Sequence, residues 1–233
     1  MRKLLGAFLL AIMALAGPVR AESKSLVVVE LFTSQGCSLC PPADAMLAEL
    51  SKMADVLPLS LHVDYWDYIG WADSFGSAQF TERQKRYAQV GKRRSIYTPQ
   101  MIVGGQDPVV GTKPMQVARL IDEHLEKPIL AALTVTRQGD VIAIDIEPQT
   151  TGLGSSDVFL VRFIPEASVA IKRGENRGKT ISYTNIVTQW QRLGVWSGGK
   201  AAKVTAQVTG DEEIAVLVQD SSNLKILAAA LLD

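Results

Sequence analysis

Cys37 and Cys40 are the only cysteines in a chain of 233 residues, and two residues separate them. The thiolate is the form of cysteine that attacks a disulfide, and a second thiol this close resolves the mixed disulfide that results. A loop this short gives a disulfide little leverage over the unfolded chain, so a purely structural bond explains the pair poorly. Exchange chemistry explains it better. A zinc site would need two further ligands, and the only histidines are His62 and His124. Soft thiolates with one imidazole also suit copper, so Cys37, Cys40 and His62 form an alternative Cu(I) set.

A dithiol of this kind needs a strand to deliver it and a helix to follow it. Residues 25–32 (SLVVVELF) are dense in β-branched side chains and predict a buried strand. Met46, Leu47, Leu50 and Met53 fall on one face of a helix predicted over 43–54. The helix N-terminus favours a thiolate at Cys37, which is expected to be the attacking and more exposed sulfur, with Cys40 resolving and sheltered. Pro41-Pro42 pushes Cys40 toward extended geometry, so the regular helix is expected to begin at Pro42.

Further on, the pattern predicts a strand over 56–65, a helix over 77–90, strands at 99–104 and 109–110, and a helix over 114–126. After Lys127-Pro128 the texture changes. Two strands lie around a turn at 137–140, and more follow at 158–164, 168–172, 180–196, 203–208, 214–219 and 224–230, with no helix. The expected architecture is an α/β domain over 22–127, with a mixed sheet and flanking helices, followed by an antiparallel β-sandwich-like domain over 128–233.

Arg2 and Lys3, an apolar run over 4–16, the break at Gly17-Pro18 and Val19-Arg20-Ala21 have the layout of a secretory signal peptide over 1–21. The run is shorter than the roughly 20 residues of a membrane span, so no stable span is expected. The mature chain would begin at Glu22 and be periplasmic or secreted. Removing Arg2, Lys3 and Arg20 leaves 21 basic residues against 24 acidic ones, which argues against nucleic-acid binding.

The segment VVELFTSQGCSLC resembles the thioredoxin strand that leads into its CxxC, and Thr98-Pro99, opening PQMIV, resembles the superfamily's cis-proline loop. The resemblance to the thioredoxin-like superfamily spans residues 26–126. It implies that Pro99 positions substrate and that Glu30 is the buried acid relaying a proton to Cys40, although Glu30 lies one residue further from the first cysteine than in thioredoxin. ELFTSQGCSLCPPAD, HVDYWDYIGWAD, YTPQMIVGG and GENRGKT are also similar to an exported bacterial thioredoxin-like family catalogued as a domain of unknown function, which implies no established activity. The dipeptide Ser38-Leu39 matches neither thioredoxin nor the strong oxidants, leaving oxidant or reductant open.

Each remaining feature has a plain reading and a functional one. Tyr65, Trp66, Tyr68, Trp71 and Phe75 pack a long connection onto the sheet. Trp66 and Trp71, with Thr98, are expected to form an apolar lip that grips protein or peptide thiols and disulfides. His62 shares a strand face with Ser60 and Asp64, as a satisfied polar residue near a sheet edge or as the copper ligand. Lys92-Arg93-Arg94 read as a solvated basic face, GENRGK as a polar hairpin turn, and His124 as a partner of its helix dipole. The leading expectation is an exported thiol–disulfide oxidoreductase-like protein served by a periplasmic redox partner. The alternatives are a copper-binding chaperone, and a non-enzymatic interaction module with a relic disulfide.

Overall fold

The computed structural model of the chain describes residues 19–22 and 26–232. Most of the expected signal segment therefore lies outside the described residues. Its last part is described only as the backbone strand β1 (Val19–Glu22), of which cleavage after Ala21 would leave a single residue. No described helix is long and apolar enough to cross a membrane.

The N-terminal half follows as β2 (Val27–Thr33), α1 (Pro41–Leu50), β3 (Val56–His62), α2 (Ala78–Val90), β4 (Gln100–Val103), β5 (Asp107–Val110) and α3 (Pro114–Leu125). The β-branched run makes β2 a strand buried along its whole length. Ser77 caps α2 by accepting a hydrogen bond from the Gln79 amide, and proline occupies the first turn of both α1 and α3, where its missing N–H costs nothing. Cys40, the N-cap of α1, is in the right-handed helical region at φ −78° and ψ −37°, and the helix begins at Pro41. The extended geometry expected for a residue before proline is not adopted. The Cys40 amide donates to the Cys37 carbonyl and the Cys40 carbonyl accepts from Ala43 and Asp44, and these bonds outweigh the steric preference.

The second half is all strand: β6 (Ala131–Gln138), β7 (Val141–Pro148), β8 (Ser156–Ala170), β9 (Thr180–Trp196), β10 (Ala202–Gln207), β11 (Glu213–Asp220) and β12 (Ile226–Leu232). The two strands expected at 158–164 and 168–172 are one. Pro165 does not break it, because β8 pairs with β11 only as far as Phe163 and beyond that point is bonded on the β9 side alone.

The chain is an α/β structure with a mixed sheet and a second, smaller antiparallel sheet. The large sheet has eight strands in the order β12-β11-β8-β9-β3-β2-β4-β5, and the small one runs β1-β6-β7-β10. β2 pairs with β3, and β3 with β9, in parallel. The boundary expected at Lys127/Pro128 marks where helix gives way to strand, yet the large sheet runs across it, drawing four strands from each side. One face of β2 and β4 packs Val29, Leu31, Met101 and Val103 against α1 and α3. The other face packs Phe32, Leu59 and Leu61 against Phe80 and Tyr87 of α2. The small sheet stacks on the β12-β11-β8 end through Val135, Ile144, Leu160, Val216 and Ala230, giving that end its sandwich character.

Candidate functional site

Cys37 and Cys40 form a disulfide in the connection between β2 and α1, with a Cα–Cα separation of 5.4 Å. Gly36 lets the connection pass under the aromatic loop. A Cβ there would lie 3.1 Å from Trp66 Cβ and 3.3 Å from Ile69 Cδ1, so the aromatic loop would have to give by a few tenths of an ångström. The Trp66 indole N–H donates to Thr98 Oγ1 (2.7 Å), and the Trp71 indole N–H donates to Gln35 Oε1 (2.8 Å). The Thr98-Pro99 bond is cis. Pro99 packs beside the first turn of α1, since a Cβ on Gly111 would meet Ala43 at 2.9 Å and Pro99 at 3.1 Å. Trp66 and Trp71 thus lie against residues 35–36, Thr98 is bonded to Trp66 and Pro99 lies beside the first turn of α1, whereas Tyr68 turns out to solvent. Lys92, Arg93 and Arg94 are exposed, and His124 meets Asp107 Oδ2 at 2.7 Å, away from the loop.

Glu30 is elsewhere. Its neighbours Val29 and Leu31 face α1, so strand alternation turns Glu30 to the α2 side. There it is fully buried. Arg83 donates to both carboxylate oxygens, at 2.5 and 2.8 Å, and Tyr87 donates its hydroxyl to one of them. The Arg83 guanidinium lies 3.7 Å from the Trp190 ring centroid. The carboxylate is part of a satisfied structural pair.

The acid on the α1 side is Asp44. It sits one turn beyond Cys40, and with Cys40 already helical the two share a helix face. Thr33, the last residue of β2, donates its hydroxyl to Asp44 Oδ1 at 2.8 Å. Burial pushes the Asp44 carboxyl up to about 7, against the pull of nearby His62 and the Thr33 hydrogen bond, while Asp73 adds to the rise. His62 pairs in register with Thr33 across the parallel ladder. It lies on an interior strand, not near a sheet edge, and is completely buried. Its Nδ1 is 2.8 Å from Asp73 Oδ2, its ring stacks edge-on against Tyr183 and Phe75, and its Nε2 has no hydrogen-bond partner. The Tyr183 hydroxyl is likewise unpartnered, and burial with Asp44 and Asp73 nearby raises its pKa strongly. Among the described residues, no three His, Cys, Asp or Glu side chains are grouped so as to hold a metal ion.

Both cysteines are buried, Cys37 at 2% exposure and Cys40 at 0%, so the exposed first sulfur expected from the sequence is not found. The second half of the chain also holds the loop. Asn176, itself completely buried, donates to the carbonyls of Gln35 (3.0 Å) and Cys37 (2.9 Å), and Lys179 donates to its side-chain oxygen (2.9 Å). Asn176 and Asp44 were within reach of sequence reading. GENRGKT and CPPAD carry them, and HVDYWDYIGWAD carries His62 and Asp73, so three of the segments quoted for the family resemblance converge on this one place.

No curated protein matches the chain. Among solved structures, it is similar to a crystal structure of a protein from Agrobacterium tumefaciens, at 34% identity and a TM-score of 0.76, covering 90% of this chain and 95% of that one. It is also similar to HBP35 of Porphyromonas gingivalis, at 15% identity and a TM-score of 0.60, covering 89% of this chain and 74% of that one, a likeness of fold alone. The family model described as protein of unknown function (DUF1223) matches residues 28–219, and the chain belongs to that family.

Proposed function

We propose that the chain is an exported thiol–disulfide oxidoreductase-like protein, with a thioredoxin-like site that exchanges protein or peptide thiols through Cys37 and Cys40. The observation that carries this reading is the disulfide at the start of α1 with a buried, protonatable carboxyl, Asp44, one turn beyond it. A substrate thiolate attacks Cys37 Sγ, a mixed disulfide forms, and Cys40 Sγ leaves with the electron pair. Asp44 gives its proton to the departing Cys40 thiolate. In the reverse direction the Asp44 carboxylate takes the Cys40 proton, and the thiolate attacks the mixed disulfide and releases the substrate thiol. Trp66, Trp71, Thr98 and Pro99 would position the substrate chain. Asp44 takes over the proton relay assigned by resemblance to Glu30, because both Glu30 oxygens are engaged on the opposite face of the sheet.

The test is a pair of variants. Cys40→Ser is expected to accumulate mixed disulfides through Cys37 in periplasmic extracts run on non-reducing gels, because nothing remains to resolve them. Cys37→Ser is expected to accumulate almost none. Equal trapping by both would remove the division of roles, and trapping by neither would favour an interaction module or Cu(I) bound by Cys37, Cys40 and His62. Repeating a glutathione titration of the disulfide with Cu(I) present separates those two.

A further inference from the structure

Asn176 is an unusual residue to bury at a hairpin turn. The turn over residues 172–179 joins β8 to β9 and is closed by the Ile171 amide donating to the Lys179 carbonyl (2.9 Å) and the Gly178 amide donating to the Ile171 carbonyl (2.8 Å). Gly174 adopts φ +73°, and a Cβ there would lie 3.3 Å from Trp71 Cβ, so the turn rests on the aromatic loop. Below it, Ile171, Ile181, Tyr183 and Ile186 form an apolar base with Trp71 and Phe75 packed against them. On this base the Asn176 amide donates two hydrogen bonds into the disulfide loop, one of them to the carbonyl of Cys37 itself. The same loop holds both cysteines buried, Cys37 at 2% exposure and Cys40 at 0%, which leaves an external thiolate little access to either sulfur. Its exposed residues, Ser38 and Leu39, carry no chemistry.

We propose that the 172–179 turn is a latch on the disulfide loop, with Asn176 the positioning residue that holds Cys37 and lets go before either sulfur exchanges. The inference rests on the oxidoreductase reading and adds its control. With dithiothreitol as the dithiol, one thiolate attacks Cys37 Sγ and Cys40 leaves as thiolate. The second thiol of the reagent then displaces Cys37, so two electrons and two protons pass to the cysteine pair and the reagent closes to its cyclic disulfide. Attack at Cys37 requires the loop free of Asn176. The latch grips backbone carbonyls rather than sulfur, so it holds oxidised and reduced loops alike and changes rates without changing the equilibrium.

The experiment follows reduction of the full-length protein by increasing dithiothreitol, with the equilibrium against glutathione measured alongside. The wild-type rate is expected to level off at high reagent, where opening limits it. N176A, which removes both donors, is expected to react roughly 10- to 100-fold faster at low reagent, the factor set by two ordinary hydrogen bonds. It levels off later, and its equilibrium constant stays within about twofold, because neither bond involves a sulfur. If N176A does not fold, K179M keeps both bonds to the loop and frees only the amide oxygen. It is expected to show a smaller acceleration of the same kind. Equal rates and no levelling-off in wild type and variant would overturn the latch while leaving the oxidoreductase reading in place. Failure of both proteins to exchange at any reagent concentration overturns both. A wild type that is inert beside a reactive N176A supports the latch.

Discussion

Asp44→Asn is the perturbation whose magnitude the structure sets most directly. The carboxyl moves from an ordinary value of 3.8 to about 7 on folding, with burial the largest cause. Between those values the folded protein holds a proton that the unfolded chain releases, so unfolding becomes easier as pH rises. At about 1.4 kcal/mol per pKa unit, the wild type loses at most roughly 4 kcal/mol through this one group between pH 4 and pH 7, and little more above. Asparagine is neutral throughout and keeps an oxygen to accept the Thr33 hydroxyl. His62 on β3, Asp73 on the aromatic loop and Tyr183 on β9 face the same space in both proteins. Urea unfolding from pH 4.5 to 8, with the disulfide intact, measures that difference. The stability of Asp44→Asn relative to wild type is expected to grow by roughly 3 kcal/mol from pH 4.5 to pH 8. In the same variant, exchange slows as the proton carrier is lost, so stability and activity move in opposite directions. A stability difference that does not change with pH would refute the assignment of a buried neutral carboxyl.

Glu30→Gln leaves the Arg83 charge buried without its carboxylate and is expected to cost about 3–5 kcal/mol in denaturant unfolding. Its effect on the rate of disulfide exchange should stay below about threefold, since ordinary hydrogen bonds to the disulfide loop are untouched. Trp66→Phe removes the bond to Thr98 Oγ1 while keeping a smaller aromatic ring in place of the indole. It is expected to lower stability by about 1 kcal/mol and to raise KM for a peptide disulfide more than it lowers kcat.

The elements were legible where periodicity is strong. The helix read at 77–90 and the strand read at 180–196 are found within a residue of those limits, and the Cys pair sits at the strand-to-helix join that its flanking pattern predicts. What escaped are properties of tertiary packing. Glu30 alternates to the α2 side, and only the position of Arg83 shows that its charge is neutralised there. Asp44 looks like an ordinary acid in a first helical turn until Thr33 and His62 close over it. Asn176 reads as turn chemistry because asparagine favours turns, and nothing local reports that its amide points inward. The bridge between the halves was hidden for the same reason. β3 and β9 meet through Ser60 and Ile186, a pairing that no local pattern announces.

The Asn176 bonds to the disulfide loop join residues 139 and 141 positions apart. A chain made from its N-terminus presents Cys37 and Cys40 long before Asn176 exists. Contacts of such sequence separation form late and slowly. The loop therefore stays unlatched until β8 and β9 have paired and carried the turn between them into place. The hold on the disulfide loop is thus a property of the whole large sheet, because the residue that makes it sits on the turn between two strands of the second half.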